Sequence, residues 1–416
     1  MKGKGLRPKV VILGLDGVGW SLIQKLSDAG AMPRLKALIR KSACGEMLST
    51  LPEISPVAWT TFFTGRSPAD HGIFGFTEFT GQGYQVRYNA SGQILESVIL
   101  NVPMTYPARP LSGIMVSGFL AVNIERSGYP AWVIQYLYEI GYKLEADFEA
   151  VHQDRQAFLD ELDFILMKRA NLLERFWPED WDLFFLAITD TDRLNHFFYQ
   201  EYEDGGAIYQ YYLDYYRRVD EIVGRIYDLS SNLAGQGAED LCLIMLSDHG
   251  FTGVKEEFHL NRWLKAHGFQ KQVGPEAKVL ALDPTRLYFN QPSRFPMGRV
   301  GSAETQDLTA RLKSSLEAEP SVDEVIPRAE IYSGKAMNLA PDMVIKPAQG
   351  FEFKAKFTPG PVYSSSPLQG THIREDTFYL VHDFSGRVKD LAIRDILDLA
   401  KFMFARFNLE LKDGGL

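Results

Sequence analysis

A chain of 416 residues can bury a large core, and its 45% hydrophobic and 23% charged content is that of an ordinary globular protein. A net charge of −9 excludes a general basic field for long nucleic acids or anionic membranes. A small anionic partner stays open, because bound metals reverse the local sign. With only Cys44 and Cys242, the second inside an apolar run, a disulfide framework is excluded as well.

In chain order, Val10 to Leu15 reads as a buried strand ending at Asp16. It is too short for a membrane span and carries the wrong pattern for a signal peptide. No later segment reaches the ~18 to 20 apolar residues that a spanning helix needs. The expected compartment is the cytoplasm, and the sequence is silent on oligomeric state. Helix-like stretches follow at Gly19 to Leu26 and Met32 to Ile39. Ser55 then stands at a loop-to-helix junction, with Pro56 to Phe63 helical and Pro56 in the first turn. Residues 81–180 read as an insertion holding a strand-like Gly113 to Phe119 and a long helix from Arg155 to Phe176. Leu183 to Ile188 and Leu241 to Leu246 are two further buried strands, separated by a tyrosine-rich helix from Ile208 to Leu229. Residues 291–365 are rich in Pro, Gly and Ser around a helix-like Glu304 to Glu319, and Leu391 to Phe407 closes the chain as a helix.

Continuously apolar strands between helices imply an α/β fold with a mostly parallel sheet covered on both faces. Ligands of such sheets lie beyond the carboxyl ends of the strands. Asp16, Asp190, Asp192 and Asp248 all fall there, with His249 and His196 close by. Carboxylates converging at buried strand ends are costly unless positive charge meets them, and a divalent metal site meets several at once. Gly370-Thr371-His372 can complete such a site. Asp192 and His196, four apart, share one helix face. Ser55 reads either as a plain N-cap or as a hydroxyl poised at a helix N-terminus, where amide N–H groups and the dipole favour an anionic centre.

Taken in order, the Asp16 segment, Ser55 to Gly65, Arg66-Ser-Pro-Ala-Asp-His71-Gly72-Ile73, Asp192-x-x-x-His196, Asp248-His249-Gly250 and Gly370-Thr371-His372 resemble the alkaline phosphatase superfamily. The branch they resemble is the type I phosphodiesterases/nucleotide pyrophosphatases. The resemblance implies a three-layer sandwich with a central, mostly parallel sheet and an inserted cap. It divides the chain into a core of residues 1–290 and 366–416 and a cap of 291–365. It also implies two divalent metal ions, zinc or alternatively manganese. Asp16, Asp248 and His249 would hold one, with Ser55 bridging toward it as nucleophile; Asp192, His196 and His372 would hold the other. The expected activity is phosphodiester or pyrophosphate hydrolysis of a small phosphorylated substrate through a covalent phosphoserine. Phosphomonoester or phosphonate hydrolysis is the neighbouring reading, and a non-catalytic binding protein the distant one.

Sulfatases of the superfamily show Cys/Ser-x-Pro-x-Arg at the nucleophile, which Ser55-Pro56-Val57-Ala58-Trp59 does not match. Cofactor-independent phosphoglycerate mutases are longer, with a large domain inserted after the nucleophile. The chain also departs from the nucleotide pyrophosphatases, whose phosphoryl-steadying asparagine falls on Phe76; Arg66, Arg193 and Lys255 are the candidate replacements. Asp190 is expected to support the ligands, His71 and His259 to brace or pack, and His152, His267 and His382 to be ordinary. The cluster Tyr209, Tyr211, Tyr212, Tyr215 and Tyr216 is read as packing.

Overall fold

The computed structural model describes residues 8–79, 86–88, 97–238, 240–270, 276–388 and 390–409. Of the expected insertion at 81–180, residues 81–85 and 89–96 lie outside these. Lys9–Leu15, the first apolar run, becomes the middle of an eight-stranded sheet. The spatial order is Ala43–Met47, Thr377–Asp383, Leu241–Leu246, Lys9–Leu15, Leu183–Ile188, Ser97–Val102, Gly113–Ser117 and Gly128–Tyr129. The five strands from Leu241–Leu246 to Gly113–Ser117 run parallel, and antiparallel strands close both edges.

The apolar runs have a direct cause. Val11, Leu13 and Leu15 enter one core with the helices Trp20–Asp28, Arg155–Phe176 and Tyr209–Gly235, while Val10 and Ile12 enter a second with Ser55–Thr64 and Ile396–Arg406. Leu241, Leu243 and Met245 alternate with Cys242, Ile244 and Leu246 in the same way. Every side chain of a central strand therefore meets protein, so the two-residue alternation of polarity disappears. No helix among the described residues is long and apolar enough to cross a membrane.

The strands Val279–Asp283, Arg286–Phe289, Met343–Pro347 and Val322–Pro327 form a separate four-stranded sheet, packed on the helix Ser302–Leu316 around its own core. This sheet crosses the expected cap boundary at 290/291, because Leu287 pairs with Met343 and Arg286 with Val344. The Pro- and Gly-rich composition marks the loops of the unit, whereas its first two strands read like core strands. Tyr332 ties it to the loop before Ser55 by donating to the Leu51 carbonyl (2.9 Å), and Ala336 N–H donates to the Ala69 carbonyl (2.7 Å).

Candidate metal centre and nucleophile

Parallel register sets the site. Val10 lies opposite Leu183 and Lys9 opposite Leu241, so all three strands end together and deliver Asp16, Asp190 to Asp192, and Asp248 to one rim. Asp190–Glu203 begins its helix there, with both acids in the first turn where the dipole favours them. His372 arrives by another route. Gly250–Gly253 pairs antiparallel with Gly370–Ile373, which puts His372 opposite Phe251 and beside His249. The His249 and His372 rings stack with centroids 3.5 Å apart.

All seven residues come together. Asp16, Asp248 and His249 offer ligand atoms within 4.8 Å of one another, and so do Asp192, His249 and His372. His196 adjoins the second group, its Nε2 lying 3.0 Å from His372 Nε2 and 3.5 Å from Asp192 Oδ1. His249 stands between the two groups, with Nε2 at 3.4 Å from Asp248, 3.6 Å from Asp16 and 3.9 Å from Asp192. Ser55 Oγ lies 3.5 Å from Asp16 Oδ1 and 3.4 Å from His249 Nε2. Ser55 is the first residue of its helix, the N-cap is Ile54 in extended conformation, and no side chain caps that end. The plain N-cap reading of Ser55 therefore fails: its hydroxyl lies toward Asp16 and His249 instead.

Cations fit this donor set. Asp248 Oδ2 is buried with no hydrogen-bond partner, a cost that a bound cation removes. Burial, then Asp248 and Asp192, push the Asp16 carboxyl well above its usual range. Burial also opposes ionisation of Asp192, but His196, Arg193 and His372 hold its carboxyl well below the ordinary value. Burial pushes His249 down to about 4 and lowers His196, which keeps them in the neutral form that ligates metal. His372 also loses by burial, yet its hydrogen bond to Asp192 (3.1 Å) raises it overall.

Behind the candidate ligands stand several supports that the sequence does not reveal. Trp59 Nε1 reaches Asp16 Oδ2 at 3.4 Å, and its ring lies where a Cβ on Gly14 would come within 2.6 Å. Gly17 has φ 67° and donates its N–H to Asp248 Oδ1 (3.1 Å). Asn195 donates to the Gly17 carbonyl (2.7 Å) and accepts from Tyr212 (2.5 Å) and Tyr216 (3.2 Å). Two members of the tyrosine cluster thus pack, as expected, and also brace the site. A buried asparagine inside the five-residue Asp192-x-x-x-His196 segment was the available signal.

The remaining candidates separate clearly. Asp190 is fully buried and meets Arg169 as an ion pair (3.4 Å) instead of through hydrogen bonds. His71 spends both ring nitrogens locally, on Thr61 (3.1 Å) and the Ile73 N–H (3.0 Å). His259 bonds Ser364 (2.8 Å). Lys255 is exposed and packs along Gly350. Arg66 follows the far end of the ten-residue Ser55–Thr64 helix, about 15 Å along its axis from Ser55. Arg193 alone of the three cations sits at the site, its guanidinium bonded to Asp192 Oδ2.

A family model described as type I phosphodiesterase/nucleotide pyrophosphatase matches residues 10–372. No curated protein matches the chain by sequence. Among solved structures, phosphonoacetate hydrolase from Sinorhizobium meliloti 1021 with phosphonoformate superposes with TM-score 0.63 at 14% identity, covering 96% of both chains. An inactive variant of murine ectonucleotide pyrophosphatase/phosphodiesterase 5 with AMP gives TM-score 0.60 at 14% identity, covering 98% of this chain and 97% of that one. These likenesses establish a shared fold.

Proposed function

The chain belongs to the type I phosphodiesterase/nucleotide pyrophosphatase family, hydrolases of phosphate esters, and from that premise we propose that Ser55 is the nucleophile of a two-metal site that cleaves small phosphodiesters. The observation that carries this reading is the placement of Ser55 Oγ at an uncapped helix N-terminus, 3.5 Å from Asp16 and 3.4 Å from His249. Asp16, Asp248 and His249 would hold one ion, and Asp192, His196 and His372 the other. We assign zinc, with manganese as the alternative, since Asp/His sets accept both. When bound, such ions lower the pKa of a ligated hydroxyl and neutralise phosphoryl charge.

The chain's own groups do the rest. Ser55 gives up its proton and its oxygen attacks phosphorus, forming the Oγ–P bond as the bond to the leaving alcohol breaks. That alcohol takes up one proton, so charge balances. Water then cleaves the Ser55 ester and restores the hydroxyl. The positive end of the Ser55–Thr64 helix dipole favours the developing charge. Trp59, Gly17 and Asn195 fix the acids so that little reorganisation is left for the reaction itself.

Residues 291–365, with the strands that pair to them, form a cap that sets substrate choice and supplies no metal ligand. The cytoplasm is the compartment assigned, on the ground that Cys44 and Cys242 are both free thiols. Activity against a phosphodiester, a phosphomonoester, a phosphonate monoester and a sulfate ester tests the reading. Diester turnover above the other three supports it; preference for the monoester or the phosphonate assigns the site to that neighbouring activity.

A further inference from the structure

A phosphate ester brings negative charge to a rim already lined with carboxylates, so its non-bridging oxygens need fixed donors beyond the metals. Asp192 divides its two oxygens. Oδ1 faces His372 (3.1 Å) and His196 (3.5 Å), while Oδ2 accepts from Arg193 Nη1. Arg193 Nε looks toward Glu145 Oε2 at 3.6 Å, and Nη2 makes no hydrogen bond among the described residues.

The guanidinium packs against two rings, with its carbon 4.3 Å from the Phe119 centroid and 4.6 Å from that of Phe148. Phe76 meets Phe119 edge-on at 5.5 Å and backs the clamp. Glu145 is fixed in turn, because Arg169 donates to the carbonyls of Lys143 (3.1 Å) and Leu144 (2.9 Å) while pairing with Asp190. A planar fork packed against two rings, bonded through Nη1 to Asp192 and ion-paired with Glu145, with an N–H pair left over, is arranged to receive an oxyanion at little entropic cost. Support of Asp192 alone would need one donor and no aromatic clamp.

We propose that Arg193 is a substrate-contacting residue whose Nη2 edge binds a non-bridging oxygen of the phosphoryl group, with Glu145 and the Phe119–Phe148 clamp as its positioning residues. The proposal rests on the phosphoryl-transfer reading of the site and names the group that holds the substrate anion there.

Calorimetric titration of inorganic phosphate into the metal-loaded protein tests it, with metal content measured on the same samples. R193A should keep both metals and weaken phosphate binding by about ten- to a hundredfold, the loss of one charge-assisted contact. R193K should lose several-fold, because an ammonium cannot reproduce the fork, and E145Q a similar amount. Added guanidinium should restore part of the diester turnover of R193A by entering the vacated clamp, which a purely structural role would not allow. Phosphate affinity equal to wild type in R193A, loss of metal from R193A, or no phosphate binding by wild type would each overturn the proposal. If R193A does not fold, wild-type affinity in both R193K and E145Q overturns it. The underlying reading fails separately, through S55A that retains turnover, whatever the phosphate titration shows.

Discussion

Asp16 and Asp192 each follow a central strand, and both are buried, yet their surroundings differ in kind. Asp16 meets Trp59, Ser55 and two other acids of the rim, so its half of the site is backed by neutral groups. Asp192 has Arg193 on one oxygen, and behind Arg193 stand Glu145, Arg169 and Asp190, a charged network inside the protein. The first half depends on a bound cation to offset its carboxylates; the second carries its own counter-charge. A metal should therefore bind more tightly at the Asp16 half, where Arg193 acts on Asp16 only through space and no cationic side chain bonds Asp16 or Asp248 among the described residues.

The largest expected effect is at Ser55, the proposed nucleophile in the neutral half. Ser55→Ala should lower turnover by about three orders of magnitude or more while both metals remain bound. A loss below about tenfold would mean that water attacks directly. Next come the ligands, which separate the halves. Asp248→Asn should abolish the tighter phase of a metal titration, and His372→Ala the weaker phase, each with most of the activity. The same phase lost in both variants would break the comparison.

Asn195→Ala should cost about ten- to a hundredfold in kcat/KM, as supports behind metal ligands do, with the fold intact by circular dichroism. The smallest effect concerns His71, which braces the Ser55–Thr64 helix through Thr61 in its neutral form. Burial lowers it to about 3 from an ordinary 6.5, so the unfolded chain binds the proton first and folding stability is lost as pH falls below the unfolded value. His71→Gln should therefore show a smaller drop in Tm than wild type between about pH 7 and pH 5.

Part of the candidate site was suggested by the sequence because Asp16, Asp248 and His249 follow apolar runs and His196 lies one helical turn from Asp192, whereas His372 carries no such mark. Leu183–Ile188, Leu241–Leu246 and Arg155–Phe176 have the expected bounds, since burial on both faces or a long amphipathic period marks them without tertiary knowledge. What stayed hidden depends on pairing across the chain. Arg286–Phe289 reads as a core strand until its partner Met343–Pro347 is known, which is why the 290/291 boundary divides a real sheet. The hydroxyls of Tyr212 and Tyr216 reveal their work only when Asn195 lies beneath them. His249 was expected with one metal group and stands between two, because the stacking on His372 comes from a strand pair more than a hundred residues apart in sequence.

The account turns on a bond between Ser55 and phosphorus. Acid-quenching the metal-loaded enzyme during diester turnover, followed by mass mapping of its peptides, looks for that bond directly. The account predicts substrate phosphorus, with its remaining ester group, on the peptide containing Ser55 and absent from Ser55→Ala. Unmodified peptide throughout turnover, with stereochemical inversion at phosphorus, would contradict it.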